Sequence, residues 1–103
     1  MSEGKKRLVV LGGGPSVLTA LYHLTNDVAV RSKCDITVYQ MGWRLGGKAG
    51  SGRTPNGQIL EHGLHILFGF YENFFAMMRR CYVELDRPEG SPMRTFDDAF
   101  SPN

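Results

Sequence analysis

The stretch "RLVVLGGGPSVLTALYHLT", residues 7–25, decides the fold. Residues 7–11, "RLVVL", read as a β-branched and aliphatic run, the pattern of a strand covered on both faces. Three glycines follow, and then Pro15, which suits a first helical position because no N–H is needed there. Val17, Leu18, Leu21 and Leu24 recur at helical spacing, which predicts a helix ending near residues 25–27. Taken alone, a glycine turn between a strand and a helix is either a phosphate cradle or a plain connection.

Working outward, "NDVAVRSKC" (26–34) reads as a polar connection with a short apolar centre, and "DITVYQ" (35–40) as a second short, β-branched strand. Strand, glycine turn, helix and strand open a βαβ dinucleotide-binding unit, with the second strand predicted parallel to the first. In such a unit the first glycine makes the tight turn and the second lets the backbone approach a diphosphate at the helix N-terminus. Gly12 and Gly14 fill those positions, and Gly13 adds slack. The third position of G-x-G-x-x-G should be small, yet it is Val17, so the fingerprint is incomplete. An acidic residue is expected at the end of the second strand to bond a ribose. Gln40 stands there, which keeps an acceptor oxygen without the charge.

Residues 41–57 hold six glycines and no periodicity, and read as loop. Within it "WRLGGKAG" (43–50) places Gly46 and Gly47 between Arg44 and Lys48, a pairing of accessible backbone and positive charge that suits phosphate. "GQILEHG" (57–63) and "LHILFG" (64–69) read as extended segments turned at Gly63. From Tyr71 the period changes: Tyr71, Phe74, Phe75, Met78, Tyr82 and Leu85 form one stripe of a helix that Asp86-Arg87-Pro88 ends. That stripe reads as core packing. The tail 87–103 is rich in Pro, Gly, Ser and Asp and reads as loop. The organisation expected is a single partial domain over 1–103: a βαβ opening (7–40), a glycine-rich loop (41–57), an extended segment with a helix (58–86) and a loop tail.

Composition limits the alternatives. One hundred and three residues with 42% hydrophobic content support one small domain. Lys plus Arg outnumber Asp plus Glu by 12 to 10, with Lys5, Lys6 and Arg7 clustered before the first strand. No basic stripe with interleaved aromatics is present, which argues against a nucleic-acid partner. Cys34 and Cys81 form no C-x-x-C pair, and Leu8–Leu11 is too short for a signal core or a membrane span. The expectation is therefore free thiols in a reducing, cytoplasmic setting. Membrane association is left open, although no amphipathic basic helix supports it.

Three motifs in order, "VVLGGGPSVLTAL", "ITVYQMGWRLGGKAG" and "GQILEHGLHILFGFYENFFAMM", resemble the N-terminal part of FAD-dependent amine-oxidase-type flavoproteins. The last is most similar to the phytoene desaturase branch. The resemblance covers roughly residues 7–85. It implies an α/β fold with a Rossmann-like, glutathione-reductase-type FAD-binding βαβ unit that is incomplete in this chain. It further implies FAD as cofactor, with the pyrophosphate on Gly12, Gly14, Pro15 and Ser16. The ribose position falls on Gln40, with Met41 beside it, where the family carries Glu. The arginine and double-glycine stretch falls on Arg44, Gly46, Gly47 and Lys48. The segment beside the flavin ring falls on Glu61 to His65, with Gly63, Leu64 and His65 as the contacts. An oxidoreductase acting on an isoprenoid, carotenoid-like or amine substrate is the function implied, with the catalytic residues unassigned.

Other readings stay open on the residues alone. Gln40 keeps open a non-catalytic module for NAD(P) or ADP, and Val17 keeps open a structural subunit without cofactor. Glu61, His62 and His65 are metal-ligand types, but an extended segment lacks the facing geometry a helix gives and no fourth ligand is evident, so no metal is expected. His23 reads as an ordinary helical side chain, and no Ser-His-Asp or Cys-His nucleophile is visible. Two parallel strands and two helices leave sheet edges open, and "LHILFGFYENFF" is too apolar to stay exposed. The expectation is that a further polypeptide, the rest of the flavoprotein or a partner subunit, completes the structure.

Overall fold

The computed structural model describes residues 4–102 and divides into two compact units, Met1–His65 and Ile66–Asn103. In the first unit β1 (Lys6–Leu11) and β2 (Cys34–Tyr39) pair in parallel, with Lys6 opposite Cys34 and Leu11 opposite Tyr39. Between them run α1 (Pro15–Thr25) and α2 (Val28–Lys33). Gly14 is the N-cap of α1 and Pro15 takes its first position, as the proline's missing N–H predicts. Residues 26–34 are not a mere connection. The Asp27 carboxylate accepts the N–H groups of Ala29 and Val30 and starts α2, a helix too short to show a hydrophobic period.

The strand register sorts the sheet into two faces. Leu8, Val10, Ile36 and Val38 are half-buried, whereas Val9, Leu11, Thr37 and Tyr39 are exposed, Leu11 to 77%. An unbroken apolar strand was expected to be covered on both faces. Here the α1–α2 crossover passes over one face and leaves the other open, because a single crossover covers only one.

After β2 the chain turns through a short 3-10 turn, Gly47–Ala49, and a two-residue ladder in which β3 (Gly52–Arg53) pairs antiparallel with β4 (Ile59–Leu60). Of the segments 57–69 read as extended, only Ile59–Leu60 pairs as strand.

The second unit holds α3 (Glu72–Leu85) and α4 (Phe96–Ala99). Asp86, at φ 42°, closes α3 in the left-handed region that Asp tolerates better than most residues. The tail is not all loop: Thr95 and Asp98 form a reciprocal capping box that starts α4. Phe74 and Phe75 meet Phe100 edge-on, Phe75 and Tyr82 meet Phe96, and Phe96 stacks on Phe100 with centroids 4.8 Å apart. Phe74, Phe75 and Tyr82 of the α3 stripe thus pack as core, whereas Tyr71 and Leu85 at its two ends are exposed, and the most buried side chain is Met77, which lies off that stripe.

The accessible surface is 8565 Å². Two wholly separate compact bodies of these sizes would expose only about 7,000 Å². Neither unit closes a complete core. Among the described residues no helix is long and apolar enough to cross a membrane.

Candidate functional site

The site lies where β1 and β2 end. The Gly12 N–H donates to the Tyr39 carbonyl at 2.8 Å, which extends the ladder by one step and holds the turn against the end of β2. Gly12 has φ +90°, a conformation that side chains other than glycine rarely adopt. Gly14 has ordinary angles, but a Cβ placed on it meets nothing within 4 Å. The space over the start of α1 is open, and no side chain caps that helix. Its first-turn N–H groups and the positive end of its dipole therefore face open space, an arrangement suited to an anion. Ser16 and Pro15 are exposed at its edge.

Gly13 is not slack. It is buried, and a Cβ on it would lie 2.5 Å from Leu45 Cδ2 and 3.0 Å from Gln40 Oε1. Its carbonyl accepts the Gly46 N–H at 2.8 Å. Gly47, at φ +54°, approaches so closely that an added Cβ would lie 3.2 Å from Gly14 Cα. The second glycine pair is therefore packed directly against the first, backbone on backbone.

Gln40 is half-buried, and its Nε2 donates to the Arg44 carbonyl at 3.1 Å while Oε1 lies over Gly13. A carboxylate at this position could not make the first bond. Met41 beside it is fully exposed. The Arg44 guanidinium does not join the glycine turn: it lies against Gly50 and Gly52, with its carbon 5.5 Å from the Trp43 ring centroid. There it walls a cleft of about 400 Å³ that Trp43, Arg53, Leu60, Glu61 and His62 also line. The Lys48 side chain is exposed.

The segment after β4 carries the remaining predicted residues. Gly63 turns it at φ +96°, and Leu64 is 83% exposed. His65 places Nδ1 3.3 Å from Glu61 Oε2 and Nε2 2.9 Å from the Lys48 carbonyl oxygen, and Glu61 Oε1 accepts the Ser51 hydroxyl at 2.8 Å. Sequence reasoning missed Ser51 and Leu45, whose parts depend on loop packing. A separate cleft of about 530 Å³ in the second unit contains none of the predicted residues. Two of its arginines hold backbone, Arg87 donating to the Pro92 carbonyl and Arg94 to that of Arg87, and Arg79 lies over the Phe96 ring.

A parallel β-α-β crossover with an open glycine turn at the strand ends defines a nucleotide-binding protein of the Rossmann-like class. The chain matches the NAD(P)-binding Rossmann-like domain family over residues 10–81 and belongs to it. It is also similar to zeta-carotene desaturases, which bears out the resemblance to the phytoene-desaturase-like flavoproteins. It is 28% identical to the chloroplastic/chromoplastic enzyme of Capsicum annuum over 80 residues, 78% of this chain and 13% of the relative. It is 34% identical to a probable zeta-carotene desaturase of Synechococcus elongatus over 74 residues, 72% of this chain and 14% of the relative. The chain thus spans about one seventh of the length of the curated relatives it matches. No solved structure matches it at a significant level.

The donor set fits a dinucleotide diphosphate: an uncapped helix N-terminus, a turn with no Cβ in the way, and a second glycine pair beside it.

Proposed function

We propose that this chain grips the ADP half of FAD and forms the nucleotide-binding portion of a flavin-dependent oxidoreductase of the desaturase and amine-oxidase kind. The observation that carries the reading is the open space over Gly14 at the uncapped start of α1, with Gly47 packed beside it. Held there, FAD would supply two-electron redox chemistry toward a substrate.

The chain's own residues have simpler tasks. Gly12 and Gly14 let the backbone approach the diphosphate, and the first-turn N–H groups of α1, with Ser16, donate to it. Oε1 of Gln40, at the end of β2, is the acceptor on the ribose side. Gly63 and Leu64 supply backbone and apolar surface beside the flavin ring. The names of the relatives support a carotenoid-like isoprenoid as the substrate of the whole oxidoreductase, and the remainder of that protein, or a partner subunit, as what covers the open sheet face.

A second reading, a nicotinamide nucleotide in place of FAD, has support in the family's description and in the uncharged Gln40. Native mass spectrometry of the protein with whatever copurifies separates the two. Added mass equal to FAD, with flavin absorbance in the visible, is the expected result. Retention of NAD(P) in preference to FAD would overturn the reading.

A further inference from the structure

We propose that His65 is a positioning residue, a latch that holds the 46–50 loop against the Gly13–Gly14 turn by bonding the Lys48 carbonyl. Its effect on nucleotide affinity rests on the function proposed above; the latch itself does not.

Both ring nitrogens of His65 are engaged. Nε2 lies 2.9 Å from the Lys48 carbonyl oxygen and Nδ1 3.3 Å from Glu61 Oε2. A carbonyl accepts and does not donate, so the tautomer that makes the Lys48 bond carries its hydrogen on Nε2. Glu61 is itself fixed at its other oxygen by Ser51. Two tethers, at Lys48 and at Ser51, thus bind the loop to the segment 61–65 on either side of Gly50.

Apart from the Arg44 guanidinium against Gly50 and the ladder that begins at Gly52, the loop is held by few bonds. Gly46 and Gly47 both have positive φ, and the Ala49 and Gly50 N–H groups bond only within the turn, to the carbonyls of Gly46 and Gly47. Ordering such a glycine-rich segment is costly in conformational entropy. Its attachment to the cradle is the Gly46 N–H to Gly13 bond and the Gly47 contact with Gly14. A bond at Lys48, one residue beyond, limits how far that contact can open. His65 therefore shapes the phosphate site from outside it.

Two conservative variants separate this role from direct ligand contact. His65→Gln carries an amide nitrogen to the place of Nε2 and keeps the bond to Lys48. His65→Asn places its nitrogen near Nδ1 and keeps only the bond to Glu61. Affinity for ADP by calorimetric titration of the full chain, and the rate of tryptic cleavage after Lys48 without nucleotide, are the two readouts, with cleavage after Arg79 in the second unit as the folding control. His65→Asn should weaken ADP binding about threefold to tenfold, the factor that corresponds to one net hydrogen bond, and speed cleavage after Lys48. His65→Gln should restore both. Equal behaviour of the two variants in the cleavage assay overturns the latch. If the unaltered chain binds no ADP while the cleavage difference between Asn and Gln persists, the latch stands and the nucleotide reading falls.

Discussion

Gly14→Ala separates binding from folding at a single methyl group. Gly14 sits at φ −77°, ψ 175°, angles open to any residue, and the new Cβ meets nothing within 4 Å. Reduced freedom in the unfolded chain favours alanine by about 0.4–1 kcal/mol. Alanine is a poorer N-cap than glycine by roughly 0.5–1 kcal/mol, so the two effects nearly cancel. Stability should change by less than about 0.5 kcal/mol in a urea titration. On the reading proposed above, the same methyl occupies the space through which a diphosphate oxygen would reach the first N–H groups of α1. Losing one hydrogen bond to a charged group costs about 1.5–3 kcal/mol, so ADP or FAD affinity should fall tenfold to a hundredfold in a calorimetric titration. Gly14→Val, with a larger side chain in the same space, should abolish binding. Unchanged affinity in a variant of unchanged stability would refute the assignment of this turn to phosphate.

Gly47→Ala should act through the fold. At φ +54° an alanine is disfavoured by about 1–2 kcal/mol, and its Cβ would stand 3.2 Å from Gly14 Cα, where both partners are backbone. The urea midpoint of the first unit should drop and trypsin should cut faster after Lys48; an unaltered midpoint would show that the two glycine pairs do not depend on each other. Phe96→Ala removes the ring shared by Phe75, Tyr82, Phe100 and the Arg79 guanidinium. Because Phe96 is half-buried, the cost should be about 2–3 kcal/mol, below that of a fully buried Phe. Hydrogen exchange should quicken across residues 72–85, and protection there equal to that of the unaltered chain would contradict the aromatic core.

The elements that sequence reading found are those whose signal is local. β1, α1, β2 and α3 each carry a hydrophobic run or period, and Pro15 and Asp86 mark where two of them begin and end. The helices it missed are short and announced only by their caps. Asp27 ahead of "VAVRSK" and Thr95-x-x-Asp98 were both legible as caps, but six and four residues are too few for a period, and the surrounding Pro, Gly and Ser suggested loop. In the site, the glycines at strand ends and the pair 46–47 could be named in advance, because a close backbone approach admits few other residues. Gly13 could not be ranked above Gly12 and Gly14, since its burial depends on Leu45 and Gln40 returning over it. For the same reason the Gln40 bond to Arg44 and the Ser51–Glu61–His65 chain were invisible: each joins loop positions whose meeting no periodicity encodes.

Two demands fall on the first unit, and different atoms meet them. On the reading proposed here, main-chain groups at residues 12–14 and 46–47 build the cradle, whereas the side chains of Val9, Leu11 and Tyr39 form a sheet face left exposed. Exposed apolar surface of that kind weakens the folded state and invites association. The cradle depends on the same two strands, because the Gly12 N–H is anchored on Tyr39 at the end of β2. A polypeptide covering the outer face and a nucleotide in the cradle would both bind the folded form and not the unfolded one. By mass action each then raises the folded population on which the other depends. On the reading proposed here, cofactor retention and assembly with the rest of the oxidoreductase are therefore coupled through folding, without any contact between the two ligands.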